Sequence, residues 1–232
     1  MIKAILFDFN GVIIDDEPIQ MRAYQEVLKA EGITLTEEEY YASLGMDDKT
    51  FVRAAYERAA KELAEEKLPE LLERKTASHR KMIEKQLPLF PGVVTFIKAA
   101  AREFTLGLVS MARRVEIEDV LKRASLADVF EVVVSAEDVE TCKPDPACYN
   151  RGFLLLDEQR RKAGRLNISP HECLVIEDAP PGIESAREAG MRTLGVTNTV
   201  KEAALRAAGA DVVTHSLADW TTDAVHHVFS DG

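Results

Sequence analysis

Five positions carry side chains from which a group-transfer site could be assembled: Asp8, Ser110, Lys143, Glu177 and Asp178. Asp8 closes the apolar run Ala4 to Phe7 and is followed by Phe9, Asn10 and Gly11. A buried run of this length beside a turn suits a parallel strand covered on both faces. An acid at the carboxyl end of such a strand lies where open α/β sheets place their chemistry. Gly11 lets the backbone turn sharply and leaves room for a ligand close to the main chain. A strand ending in an Asx-type turn, with no chemistry at all, would read the same way.

The other four positions follow strands or stiffened loops. Ser110 comes after Leu106-Gly107-Leu108-Val109, where its hydroxyl and the next amides, from Met111 onward, could bind a phosphoryl oxygen. The alternative is a serine capping a helix over 113–123. Lys143 stands in Cys142-Lys143-Pro144-Asp145-Pro146, on a loop held by two prolines. A compact cation there can neutralise a transferring phosphoryl group and an attacking carboxylate; an exposed loop lysine is the alternative. Adjacent carboxylates at Glu177-Asp178, aimed at the cleft that holds Asp8, repel one another unless a cation sits between them. Mg²⁺, a hard ion that takes oxygen ligands, suits them. Together these groups could transfer a phosphoryl group to a carboxylate.

The elements that must position them follow from pattern. Between residues 18 and 86 there is no strand signal: Pro18 opens one helix that stops near Gly32, Thr36-Glu37-Glu38-Glu39 has capping-box form, Asp48 caps a third helix, and Pro69 opens a fourth. After Pro88-Leu89-Phe90-Pro91-Gly92, strands and helices alternate. Strands are expected at 105–109, 131–134, 173–176, 192–196 and 211–213, with helices at 92–103, 113–123, 146–156, 182–189, 200–208 and near the end. An Arg-rich loop is expected over 157–167. Repeated βα units imply a doubly wound parallel sheet with right-handed crossovers. The fold class is α/β, with a core formed by 1–15 and 90–232 and an inserted all-helical cap over 16–89.

Composition narrows the classes of function. The 232 residues, 46% of them hydrophobic, can bury one substantial core. The net charge of −11 argues against a nucleic-acid partner. No apolar run is long enough to cross a bilayer, and Met1-Ile2-Lys3 leads straight into a strand with no room for a signal peptide. A cytoplasmic monomer is expected. Cys142, Cys148 and Cys173 form no C-x-x-C pair, and the five histidines offer no ligand cluster.

Phe7-Asp8-Phe9-Asn10-Gly11-Val12 resembles the first motif of the haloacid dehalogenase superfamily, D-x-D-G-[TV] after an apolar strand. Ser110 matches the second motif and Lys143-Pro144-Asp145-Pro146 the third. Glu177-Asp178, with Gly182, Ala186, Ala189, Gly190 and Met191 in register, matches the fourth. The resemblance implies a Rossmann-like core with Asp8 as nucleophile. It also implies Mg²⁺ held by Asp8, the Asn10 main-chain carbonyl and Asp178, with Glu177 close by, and a small phosphorylated metabolite as substrate. Glu17 at the hinge, Gly45 and Lys49 on a cap loop, and Met111 and Arg113 beside Ser110 are candidate substrate contacts.

Asn10 departs from the pattern, because phosphatases of this superfamily carry a second aspartate there. An amide cannot shuttle a proton at neutral pH, and general acid–base help is worth about 10²–10⁴-fold. The expectation is an intact fold and metal site, slow turnover of alkyl phosphates, and a gain of at least about tenfold in Asn10→Asp. The Asn10-Gly11 dipeptide also invites deamidation to aspartate. A metal-free dehalogenase is disfavored by Glu177-Asp178. A phosphonatase would need a cap lysine in the role of Lys49, and a phosphomutase a histidine at Gln20. A phosphate-binding regulatory protein without turnover is the reading from another class.

Overall fold

Both faces of the first apolar run are covered. In the computed structural model, which describes residues 1–230, Ile5 and Phe7 join a cluster with Phe96, Ile117 and Val120, while Ala4 and Leu6 join another with Tyr149, Leu156 and Ala186. Six parallel strands, β1 (Ala4–Phe7), β2 (Thr105–Val109), β3 (Val132–Val134), β4 (Cys173–Glu177), β5 (Arg192–Val196) and β6 (Val212–Thr214), lie in the order β3-β2-β1-β4-β5-β6. The order reverses between β1 and β4, which opens a crevice at their carboxyl ends.

Four helices follow β1 before the chain returns at Leu89: α1 (Glu17–Ala30), α2 (Glu37–Tyr41), α3 (Asp48–Arg58) and α4 (Leu68–Ile83). They close over an apolar cluster of their own that includes Tyr24, Leu28, Tyr40, Phe51 and Leu71. The chain leaves β1 and returns from the helices side by side: Ile14 and Leu89 form an antiparallel bridge, and the Asp15 amide donates to the Pro88 carbonyl at 2.7 Å. The remaining helices, α5 (Val93–Ala100), α6 (Arg114–Arg123), α7 (Ala147–Lys162), α8 (Pro180–Glu188), α9 (Glu202–Ala207) and α10 (Thr222–Val228), complete the chain. No helix among the described residues is long and apolar enough to cross a membrane.

Two local expectations are corrected. The Arg-rich stretch after residue 156 continues α7 to Lys162. Arg160 is buried on the helix's inner face, and Asp157–Arg161 and Glu158–Lys162 pair one turn apart on the helix. The cap of α3 is Asp47, whose side chain accepts from the Thr50 amide at 2.7 Å. Asp48 falls in the first turn, where its side chain is buried.

Candidate active site

Strand register assembles the site. Phe7 pairs with Ile176 and with Leu108, so the next residues bring Asp8 beside Glu177 and place Ser110 one step beyond on the neighboring strand. The ladder continues past β1, with the Asp8 amide donating to the Ile176 carbonyl at 3.0 Å. Gly11 then adopts φ +74°, and a Cβ there would collide with the Asp178 carboxylate. Gly182 likewise leaves space for the Glu177 carboxylate. These two glycines allow the carboxylates to sit against backbone.

Lys143 lies between the acids. Its Nζ donates to Asp8 Oδ1 at 2.7 Å and to Glu177 Oε1 at 2.6 Å, and the Tyr149 hydroxyl also donates to Glu177 Oε1. Burial alone would lower the lysine's proton affinity, but Asp8 and Glu177 outweigh it and hold the ammonium charged. The acids remain in excess. Burial, reinforced by Glu177 and opposed by Lys143, pushes Asp8 up to about 7. Asp178 rises well above the carboxylate range, first through burial and then through Glu177 and Asp8.

Oxygen ligands from Asp8, Glu177 and Asp178 come within 4.8 Å of one another. Three buried carboxylates, two of them paired with one lysine, make a donor set suited to a hard divalent cation. The chain therefore fits the magnesium that the sequence resemblance implies.

Asn10 lies behind this cluster, and its amide is already committed. Nδ2 donates to Asp16 Oδ1 at 3.0 Å and Oδ2 at 3.1 Å. Asp16 is fully buried and also receives Gln20 Nε2 at 3.0 Å and His79 Nε2 at 2.7 Å. A carboxylate at position 10 would face the Asp16 carboxylate at about the same separation, with no donor between them.

The helices roof a cleft of about 720 Å³, counting its mouth, which Asp8, Asn10, Ser110, Met111, Lys143, Glu177 and Asp178 line from below. From above come Glu17, Tyr40, Gly45, Asp48 and Lys75. Gly45, at φ +89°, packs so closely on Pro181 and Lys143 that a Cβ would clash. Glu17 accepts a hydrogen bond from the Tyr40 hydroxyl at 2.5 Å. A second buried charge cluster ties roof to floor: Lys75 Nζ meets Asp48 and Glu116 at 3.2 Å each, and Thr76 Oγ1 donates to Glu116 at 2.7 Å.

The cleft thus gathers Asp8, Asn10, Glu17, Gly45, Ser110, Met111, Lys143, Glu177 and Asp178. It does not gather two of the expected contacts. Lys49 is exposed on the outer side of α3, because the Asp47 cap turns Asp48 inward in its place. Arg113 donates to Thr76 Oγ1 and Glu73, clasping α4 instead of lining the cleft. The Ser110 hydroxyl accepts from the Ala112 amide at 3.0 Å and caps no helix; α6 begins after Arg113.

Asp16, His79, Lys75, Glu116 and Tyr149 escape a reading of the sequence. The only trace of the cap residues there is that Lys75, Thr76 and His79 share one face of α4 with Leu71, Leu72 and Ile83.

Comparison with known proteins agrees with the geometry. Residues 5–196 match the family model described as haloacid dehalogenase-like hydrolase. The chain is 30% identical over 213 residues to a phosphorylated carbohydrates phosphatase of Thermotoga maritima, covering 90% of this chain and 92% of the relative. It is 30% identical over 222 residues to hexitol phosphatase B of Escherichia coli K12, covering 95% of each. The crystal structure of a β-phosphoglucomutase from Clostridium difficile superposes with a TM-score of 0.85 at 22% identity, covering 99% of this chain and 97% of that one.

Proposed function

We propose that this chain, which belongs to the haloacid dehalogenase-like hydrolase family and is a hydrolase of the phosphatase class, removes phosphate from a small phosphorylated sugar or polyol through an aspartyl phosphate on Asp8. One observation supports this reading: the buried Asp8 carboxylate, Lys143 and two further acids converge beneath the helices that roof the cleft. The two relatives named for carbohydrate and hexitol phosphates suggest the substrate class. Gln20, Tyr24, Tyr40, Ser43, Asp48 and Lys75 give the roof polar groups for a hydroxyl-rich ligand.

Asp8 attacks phosphorus from the floor, Lys143 balances charge on the nucleophile and the phosphoryl oxygens, and the Ser110 hydroxyl holds one of those oxygens. Asp8, Glu177, Asp178 and the Asn10 carbonyl would hold Mg²⁺, which when bound shields the two anions from each other. The roof excludes water during the transfer. Asn10 cannot carry a proton, so poor leaving groups depend on a proton donor elsewhere in the cleft.

The test is release of phosphate from p-nitrophenyl phosphate and from a panel of hexose and hexitol phosphates, with and without Mg²⁺. Metal-dependent turnover that Asp8→Asn abolishes is the expected result. Turnover that survives Asp8→Asn, or its absence across the panel, would sink the reading.

A further inference from the structure

A phosphatase whose position 10 is an amide still has to protonate its leaving group. The amide itself is engaged elsewhere, since Asn10 donates twice to buried Asp16, which Gln20 and His79 also hold. Asp16 itself does not line the cleft. The next carboxyl along the chain does. We infer that Glu17 is the general acid and base of the phosphoryl transfer, donating to the leaving oxygen from the roof of the cleft that Asp8 attacks from its floor. The inference rests on the phosphatase reading and deepens it.

In-line displacement fixes the direction. With Asp8 on the sheet side of phosphorus, the leaving oxygen must lie on the opposite side, toward the helices. Glu17 opens α1 there and is lined up with Asp8 and Lys143 around one cavity. The Tyr40 hydroxyl donates to Glu17 Oε2 at 2.5 Å and fixes the carboxyl, leaving Oε1 for the substrate.

The surrounding charge also fits a proton carrier. Loss of water, then Asp16 and Asp8, push Glu17 up to about 7, against the Tyr40 hydrogen bond and Lys75. The titratable groups facing it are Asp8 from the floor, its neighbor Asp16, Tyr40 and Tyr41 from α2, Lys75 from α4, and Asp178 from the loop after β4. A carboxyl near neutrality can both give and recover a proton at working pH.

The two steps balance. As an Asp8 oxygen bonds to phosphorus, the ester P–O bond breaks and its electron pair takes the Glu17 proton, releasing the alcohol. The Glu17 carboxylate then takes a proton from a water whose oxygen bonds to phosphorus. The P–O bond to Asp8 breaks, its electron pair returns to the carboxylate, and phosphate leaves with Glu17 again protonated.

The test compares full-length wild type and Glu17→Gln, with Mg²⁺, on phenyl phosphate and p-nitrophenyl phosphate. A phenolate leaving group needs a proton far more than a nitrophenolate does. Glu17→Gln should lower the ratio of phenyl to p-nitrophenyl turnover by at least about thirtyfold, since general acid help is worth about 10²–10⁴-fold and the nitrophenyl ester forgoes only part of it, at unchanged Tm. Tyr40→Phe, which removes the donor that lowers the Glu17 proton affinity, should move the high-pH limb of kcat/KM upward. An unchanged ratio, equal losses on both esters, or an unmoved limb would overturn the inference and leave the phosphatase reading intact. Wild type that hydrolyzes neither ester would sink both.

Discussion

Two buried charge clusters lie on opposite sides of the same cleft, and they are balanced differently. On the roof side, Lys75 meets Asp48 and Glu116 symmetrically, the Tyr24 hydroxyl covers Asp48, and Thr76 covers Glu116. Burial alone would raise Glu116, yet Lys75, His79 and Thr76 drive it down to about 2. On the floor, one lysine pairs with only two of three acids, Asp8 and Glu177, and Asp8 and Asp178 are pushed upward instead. The first cluster is finished by the protein. The second is left in deficit of positive charge, which suits a site that takes its cation and its reacting anion from solution. A group's exposure does not separate the two; the local count of partners does.

The comparison breaks most visibly at Asp8. Asp8→Asn should lower turnover by more than about 10³-fold without lowering Tm, because it removes one surplus buried charge; a fall in Tm would mean that the floor is built for stability. Lys75→Met should cost stability first. Stranding Asp48 and Glu116 without their cation should cost about 3–5 kcal/mol in chemical denaturation. Replacing all three charges together, Lys75→Met with Asp48→Asn and Glu116→Gln, should recover most of that loss.

Glu116 also gives a pH signature. Its depressed proton affinity contributes stability that is present above the ordinary carboxylate value of 4.5 and is lost as pH falls toward 2. The stability gap between wild type and Glu116→Gln should therefore close over that window. The floor runs the other way. Asp8, Asp178 and Glu17 bind protons more tightly folded than unfolded, so metal-free protein should lose stability as pH rises from about 5 through 7. Mg²⁺ should restore several degrees of Tm at pH 8 and little at pH 5. The smallest effect is expected at Lys49→Ala, within about 0.5 kcal/mol in stability and without change in KM, since the residue points to solvent.

What the sequence made legible follows the same division. Runs buried on both faces, such as Thr105–Val109 and Arg192–Val196, are legible because the parallel sheet demands continuous apolar residues. Asp8, Lys143 and Glu177-Asp178 are legible because each stands at a strand end or a stiffened loop. Lys75, His79 and Asp16 were not, because a charge inside a helix or a hinge reads as a solvated face until a partner distant in sequence is brought to it. Glu116 is 41 residues from Lys75, on α6 after the second strand. The Asn10 departure is visible in the sequence, but its hydrogen bonds to Asp16, six residues away, are not. The single Asn10→Asp exchange would set two carboxylates face to face, against the gain of about tenfold expected from the motif alone, and the variant's phosphate-release rate decides between the two. The deamidated form meets the same opposition, and pairing the exchange with Asp16→Ser removes it.

The bridge between Ile14 and Leu89 has an evolutionary corollary. Because the two ends of the helical insertion meet at one backbone pairing, a lineage could exchange the whole insert for another by matching a single junction, leaving the six-stranded sheet untouched. New substrates can then be explored by recombination at one seam, while Asp8, Ser110, Lys143, Glu177 and Asp178 beneath are inherited unchanged and Glu17 travels with the insert.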